Sequence, residues 1–441
     1  MSSSEPTRVM GAAPTTGAGP AIDPTRTTVG APPGMLSLEA LAGNRFALAP
    51  RTSLENALFQ VSAPGGVAGR RMPVNLALVI DRSGSMEGDP LEYVKQACGY
   101  VVDLLETHDI LSVVTFAETV DVVMPARRVV NRQLVKEHLQ RIQVGNTTNL
   151  FDGLVAGAAQ VASVRADGYL NRMLVLTDGE PTAGVKDFSS IVGCVGEQKT
   201  RGITTTALGF GPDYNEELLA GIARRSGGNY YYISRPELIP EVFRKEMDTL
   251  LTLTAQNLRL KLFLTRWTQV RRFIGNDGVI GGRTAEVELP EVERGATVSA
   301  LAELELARRP AGVYRVARAV LTYDNCITGV AGDQLAADLV VEFVTDASLL
   351  ASGVNPLVRR ELEVAQASRD LERTMMGIKT HQLGSAAALA DLERTQVLLQ
   401  RSGRSEQAAE VTQAIQDLKK GGGDVEKTLI GTIMDLDLGK R

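Results

Sequence analysis

The stretch Val74-Asn75-Leu76-Ala77-Leu78-Val79-Ile80-Asp81-Arg82-Ser83-Gly84-Ser85-Met86 decides how this chain folds. Its nearly unbroken run of Val, Leu and Ile predicts a strand buried on both faces, as in a parallel sheet covered by helices. The run ends in one carboxylate and two hydroxyls at alternate positions, Asp81, Ser83 and Ser85, and Gly84 allows the backbone to turn sharply. Asp89 as N-cap and Pro90 as first helical residue then open a helix from Leu91 to Thr107. Leu91, Val94, Cys98, Val101 and Leu105 fall on one of its faces. Three oxygen donors thus occupy a loop at the carboxyl end of a buried strand, where open α/β sheets bind ligands. Oxygen donors alone suit a hard divalent cation, Mg²⁺ most naturally, and not zinc or copper.

An isolated D-x-S-x-S also fits an ordinary turn, so two further loops matter. Gly145-Asn146-Thr147-Thr148-Asn149-Leu150 precedes a helix whose inner face is Leu150, Leu154, Ala158 and Val161. Met173-Leu174-Val175-Leu176-Thr177-Asp178-Gly179-Glu180 is a second buried strand ending in a carboxylate and a glycine. In their order and strand context, the three loops resemble those of a von Willebrand factor type A domain with an intact metal-ion-dependent adhesion site, over residues 73–249. The resemblance implies a doubly wound, Rossmann-like, mostly parallel sheet. It also implies a cation, Mg²⁺ or Mn²⁺, at Asp81, Ser83, Ser85, Thr148 and Asp178. Thr148 has the Asn149-Leu150 context of the family's pattern, with Thr147 as the alternative ligand. By the same resemblance Ser83, Ser85 and Thr148 coordinate directly, while Asp81 and Asp178 hold metal-bound waters. A cation so held keeps much of its charge and an exchangeable position, which an Asp or Glu of a partner protein can fill.

The 441 residues leave room for two or three domains, and a charged content of 22% is that of ordinary globular protein. A net charge of -5 gives no reason to expect nucleic acid or an anionic membrane. Cys98, Cys194 and Cys326 are odd in number and far apart, which suits small buried hydrophobes in a reducing compartment. The start has no basic region leading into an apolar core, and no apolar run approaches the ~20 residues that span a bilayer. The expected location is cytoplasmic.

Either side of the α/β segment the pattern switches to alternation. Residues 35–72 carry two or three strands (Leu36, Leu38, Ala40; Phe46, Leu48; Ala57, Phe59, Val61) that cannot be stable alone. Their expected partners lie in residues 250–347, with strands at 258–264, 284–289, 297–306, 313–323 and 335–345. One antiparallel β-sandwich built from both flanks, with the α/β domain inserted, is the economical arrangement. Inside the insert Gly209-Phe210-Gly211 lacks the spacing of a phosphate loop and reads as a turn. Residues 354–437 carry helical stripes: Val358, Leu362, Leu371 and Ile378; Leu389, Leu392 and Leu399; Ala408, Val411 and Ile415; Leu429, Ile433 and Leu436. Such narrow stripes predict the seams of a C-terminal helical bundle.

Residues 1–34 are rich in Pro, Gly, Ala and Thr and are expected to form an unstructured tail. Its repeated Thr-Arg peptide makes Thr7, Thr25, Thr27 and Thr28 candidate phosphosites. The peptide resembles sites modified by Ser/Thr kinases and read by forkhead-associated domains, whose arginines would meet the phosphate charge.

Catalysis finds little support. His108, His138 and His381 are the only histidines, none in a loop expected to reach Ser83 or Ser85, and no G-x-S-x-G elbow occurs. A dehalogenase-type phosphatase needs a second aspartate where Ser83 stands. The expected function is therefore a non-enzymatic, metal-dependent protein-binding scaffold. The alternatives are an accessory subunit of a MoxR- or chelatase-type AAA+ ATPase and a phosphothreonine-regulated signalling scaffold.

Overall fold

A computed structural model of the chain describes residues 27–28, 36–66, 71–164, 168–211, 214–420 and 425–437. Four strands come first: β1 (Thr27–Thr28), β2 (Ser37–Ala42), β3 (Phe46–Leu48) and β4 (Ser53–Ser62). An alternating segment follows, with β5 (Val74–Asp81), α1 (Asp89–Leu104), β6 (Ile110–Phe116), β7 (Val120–Arg128), α2 (Arg132–Gln140) and α3 (Leu150–Ser163). It continues through β8 (Leu170–Thr177), α4 (Phe188–Thr200), β9 (Thr204–Phe210), α5 (Glu216–Ser226), β10 (Tyr230–Ile233) and α6 (Ile239–Leu251). Next come β11 (Leu253–Leu264), β12 (Thr268–Ile274), β13 (Gly278–Ile280), β14 (Thr284–Leu289) and β15 (Val292–Glu293). The last strands are β16 (Thr297–Leu306), β17 (Gly312–Asn325) and β18 (Asp333–Val344). Helices α7 (Pro356–Lys379), α8 (Ser385–Arg401), α9 (Ser405–Lys420) and α10 (Val425–Asp437) follow.

These elements form two compact units. One holds Arg70–Thr252 and Gln416–Gly431, and the other holds the remaining segments. In the first, six strands run in the order β10-β9-β8-β5-β6-β7, all parallel except β7. All eight residues of β5 are buried, as the apolar run requires. The chain leaves β5 for β6 on one side and returns to β8 on the other, so the order reverses beside β5. That reversal opens a crevice at the carboxyl ends of β5 and β8.

Asparagine or aspartate caps most of these helices: Asn131, Asn149, Asp187 and Asn215 each accept a backbone N–H of the first turn. Helix α1 differs from expectation. Its N-cap is Gly88, at φ 87°, with Asp89 already inside the helix. Its apolar stripe is as read, with Val94, Cys98, Val101 and Leu105 fully buried. Another correction concerns Gly209-Phe210, which is no turn but the end of β9. Gly209 is required there because the Tyr214 ring leaves no space for a side chain, with a ring carbon 2.3 Å from where a Cβ would sit.

In the second unit, sheet β1-β2-β4-β16-β12 faces sheet β13-β14-β11-β17-β18-β3. Leu38, Phe59 and Leu304 of the first share one core with Leu260, Leu321 and Val341 of the second. Strand β4, ahead of the α/β segment, pairs antiparallel with β16, behind it, over ten residues from Ser53↔Leu306 to Ser62↔Thr297. The α/β segment is thus inserted in a sandwich. On the far side of the first sheet, Leu41, Leu58 and Leu301 pack with Val358 of α7. The C-terminal helices are joined by a buried ion pair, Arg404–Glu361 at 3.1 Å, and by hydrogen bonds Gln396–Thr412, Thr432–Glu410 and Ser368–Asp437.

Thr7 and Thr25 lie outside the described residues. Thr27 and Thr28 form β1, antiparallel to β2, so the segment expected to lack structure contributes one short strand. Cys98, Cys194 and Cys326 form no disulfide among the described residues, and Cys98 and Cys326 are buried. No helix among the described residues is long and apolar enough to cross a membrane.

Candidate metal centre

Three loops meet at the crevice between β5 and β8. Backbone hydrogen bonds stitch them: Gly84 N to Asn146 O at 3.2 Å and Gly145 N to Arg82 O at 2.5 Å join the first to the second. Thr182 N and Ala183 N both donate to Thr148 O, at 3.0 and 3.2 Å, and join the third to the second. The Thr182 hydroxyl also accepts from Thr148 N at 2.8 Å. The positions of the side chains therefore follow from main-chain pairing and not from the side chains alone.

Asp81, Ser83, Thr148 and Asp178 are all buried. The Ser85 hydroxyl donates to Asp178 Oδ1 at 2.8 Å, and the Ser83 hydroxyl reaches the same oxygen at 3.4 Å. The two serine oxygens are 3.2 Å apart. Thr148 closes the group: a Cβ at Gly179 would lie 3.6 Å from the Thr148 hydroxyl and 3.9 Å from that of Ser85. The hydroxyl of its neighbour Thr147 is buried and makes no hydrogen bond, so both threonines stay in place as candidate donors. Asp81 sits beneath. Its Oδ2 accepts from the Thr177 hydroxyl at 2.5 Å and its Oδ1 from Ser83 N at 2.8 Å.

Burial pushes the Asp81 carboxyl up to about 6, and the nearby Asp178 charge adds to the rise, against the Thr177 and Ser83 hydrogen bonds that pull it down. A cation would favour the ionised form. The serine hydroxyls also fit one. Adjacent corners of an octahedron with Mg–O bonds of ~2.1 Å are about 3.0 Å apart. The Ser83 and Ser85 oxygens, 3.2 Å apart, are close to that edge, and Asp178 Oδ1 accepts hydrogen bonds from both beside it. Each serine that gives its proton to Asp178 keeps lone pairs for an ion. Among the described residues no three His, Cys, Asp or Glu side chains form a group that could hold a metal ion.

Thr177, the support of Asp81, and Thr182, which holds the Thr148 loop, were not singled out from the sequence. Thr177 had a signal, since it immediately precedes Asp178 at the end of β8; Thr182 had none. Arg82, inside the first motif, turns aside to pair with Asp121 at 2.8 Å and Thr119 at 2.9 Å.

The profile of the von Willebrand factor type A domain matches residues 75–245. The chain contains a von Willebrand factor type A domain. Among proteins similar to it, sll0103 of Synechocystis is 33% identical over 229 residues, 52% of this chain and 54% of its own length. YfbK of Escherichia coli is 27% identical over 246 residues, covering 54% and 43%. The chain spans about half the length of the curated relatives it matches. Among solved structures, the von Willebrand factor type A protein from Catenulispora acidiphila aligns with a TM-score of 0.69 at 17% identity, over 88% of this chain and 91% of that one. The ArnB paralog VWA2 from Sulfolobus acidocaldarius aligns at 0.60 and 17%, over 91% and 98%. At such identities the likeness is one of fold, and it extends past the type A domain to nearly the whole chain. Type A domains with the adhesion-site motif bind divalent metals and mediate interactions, and no catalytic family is indicated for this chain.

Proposed function

We propose that this protein is a non-enzymatic scaffold whose type A domain docks an acidic side chain of a partner protein through a bound Mg²⁺ or Mn²⁺. The observation carrying this reading is the convergence of the Ser83 and Ser85 hydroxyls, 3.2 Å apart, on one oxygen of Asp178 from a separate loop. Ser83, Ser85 and Thr148 are the neutral donors. Asp178 holds the serine protons in place, and Asp81 beneath them offsets charge and anchors the first loop. The ion, when bound, supplies an electrophilic corner open to a carboxylate. Because the donors are neutral, that corner stays strongly positive and exchangeable, which suits reversible docking.

The test is affinity capture from a native lysate with the full chain, in Mg²⁺ and in EDTA. A partner retained only with Mg²⁺, and lost with Ser83→Ala, supports docking through the ion. Capture that ignores both chelator and variant would contradict it. An AAA+ ring, or a kinase or forkhead-associated protein, in the Mg²⁺-dependent fraction would decide which system the scaffold serves.

A further inference from the structure

One end of the β-sandwich concentrates charge of a single sign. Four turns meet there, tied by main-chain hydrogen bonds. Leu264 N, at the end of β11, donates to Arg283 O between β13 and β14 at 2.9 Å. Ala307 N, between β16 and β17, donates to Trp267 O between β11 and β12 at 2.9 Å. Arg309 N donates to Ala49 O, between β3 and β4, at 3.2 Å. These turns carry Arg51, Arg266, Arg283, Arg308 and Arg309, and residues 49–52, 265–267, 281–283 and 307–311 include no acidic residue and no lysine. Asp346, just past the end of β18, is engaged by the Ser348 amide at 2.9 Å.

Elsewhere on the same sandwich, arginines are answered by carboxylates of a neighbouring strand: Arg259 by Glu286 and Glu288, Arg271 by Glu305, Arg272 by Glu303. The five turn arginines have no ion pair and no side-chain hydrogen bond among the described residues. Four of them are exposed, and Arg309 is half-buried. In a chain of net charge -5 this is a local reversal of sign. Arg309 is also fixed in place. Its guanidinium lies 4.8 Å from the centre of the Trp267 ring, and its buried Nε makes no hydrogen bond. Trp267 is held in turn by edge contacts with Tyr314 and Phe343, at centroid distances of 6.0 and 5.6 Å. A guanidinium stacked on a ring keeps its N–H donors in its own plane, where the two oxygens of a carboxylate can meet them.

We propose that this end of the sandwich is a docking surface for an acidic peptide segment, a run of Asp and Glu on a partner protein, with Arg309 as its fixed point. Charges spread over four turns suit carboxylates spaced along a segment better than a single phosphate group. A long nucleic acid would run past the patch onto an acidic protein, and the Trp267 face that could enter a bilayer is taken by Arg309. The rival account is that the arginines are simply solvated, as most exposed charges are. Fluorescence anisotropy of a labelled oligoglutamate peptide, titrated with the full chain in EDTA at low salt, separates them without any divalent cation. Binding should saturate and weaken as salt rises. The double variant Arg266→Glu/Arg308→Glu, on exposed turns, should weaken it on the order of tenfold. Arg309→Lys, which keeps the charge and loses the planar fork, should weaken it severalfold. Arg259→Gln, on the same sandwich but already paired, should leave it unchanged. No binding by the wild type, equal binding by the double variant, or an equal loss in Arg259→Gln would overturn the proposal. Tighter binding of phosphatidylserine vesicles, or of an oligothymidylate of equal charge, would also overturn it.

Discussion

Thr177 shows how a residue that touches no partner can govern the centre. Its hydroxyl holds Asp81, and Asp81 in turn holds the Ser83 amide. Thr177→Val preserves shape and removes that hydrogen bond, so Mg²⁺ affinity should fall about 10–100-fold with an unchanged far-ultraviolet spectrum. Unaltered affinity would show that Asp81 needs no such support. A different carboxyl sets the pH response of stability. Glu55 on β4 is buried and accepts from Asn44 N at 2.6 Å, and burial pushes it from 4.5 up to about 8. The fold therefore prefers the neutral acid. Its contribution is complete below pH 4.5 and is lost progressively as pH rises to about 8. Denaturant midpoints should decline across that window by an amount worth a few kcal/mol, and Glu55→Gln should flatten the decline. A parallel decline in the variant would place the titrating group elsewhere.

At the scale of elements, α3 carries the Thr148 loop and must lie close to the sheet. Gly153 and Gly157 allow it, since a Cβ on them would come within 2.8 Å of Phe116 and 2.5 Å of Val79. Gly157→Val should force the helix outward and destabilise the unit by about 1–3 kcal/mol. A variant as stable as the parent chain would mean that α3 has room to spare. What could be read beforehand follows from the same physics. Strand β5 and the inner face Leu150, Leu154, Ala158 and Val161 were legible because full burial leaves an unmistakable apolar pattern. Strand β12 was missed because a bulge between Val270 and Arg272 sets two arginines side by side and breaks the alternation. Gly209 misled because glycine marks turns more often than it marks a strand crowded by a tyrosine ring. The glycine stripe of α3 carries no hydrophobic signal, so its close approach is visible only in three dimensions.

For the whole molecule, the long pairing of β4 with β16 joins strands that stand on either side of the insert in the sequence, and the loops of the candidate metal centre belong to the insert. A ligand that binds only the folded insert stabilises it by mass action, by ~2.7 kcal/mol at a hundred times its Kd. In calorimetry, Mg²⁺ should raise the midpoint of the transition in which the type A unit unfolds, and EDTA should remove the gain. The five proposed site residues could be listed from three short motifs, since each loop follows or precedes a strongly patterned element. The stitching that brings them together could not, because it runs through backbone groups that every sequence possesses. The central claim is that those loops hold one hard divalent cation. Titration calorimetry of Mg²⁺ into the metal-free full chain, beside Ser83→Ala and Asp178→Ala, tests it most directly. The account predicts one site per wild-type chain and no measurable binding in either folded variant. Equal binding in all three, or none in the wild type, would contradict it.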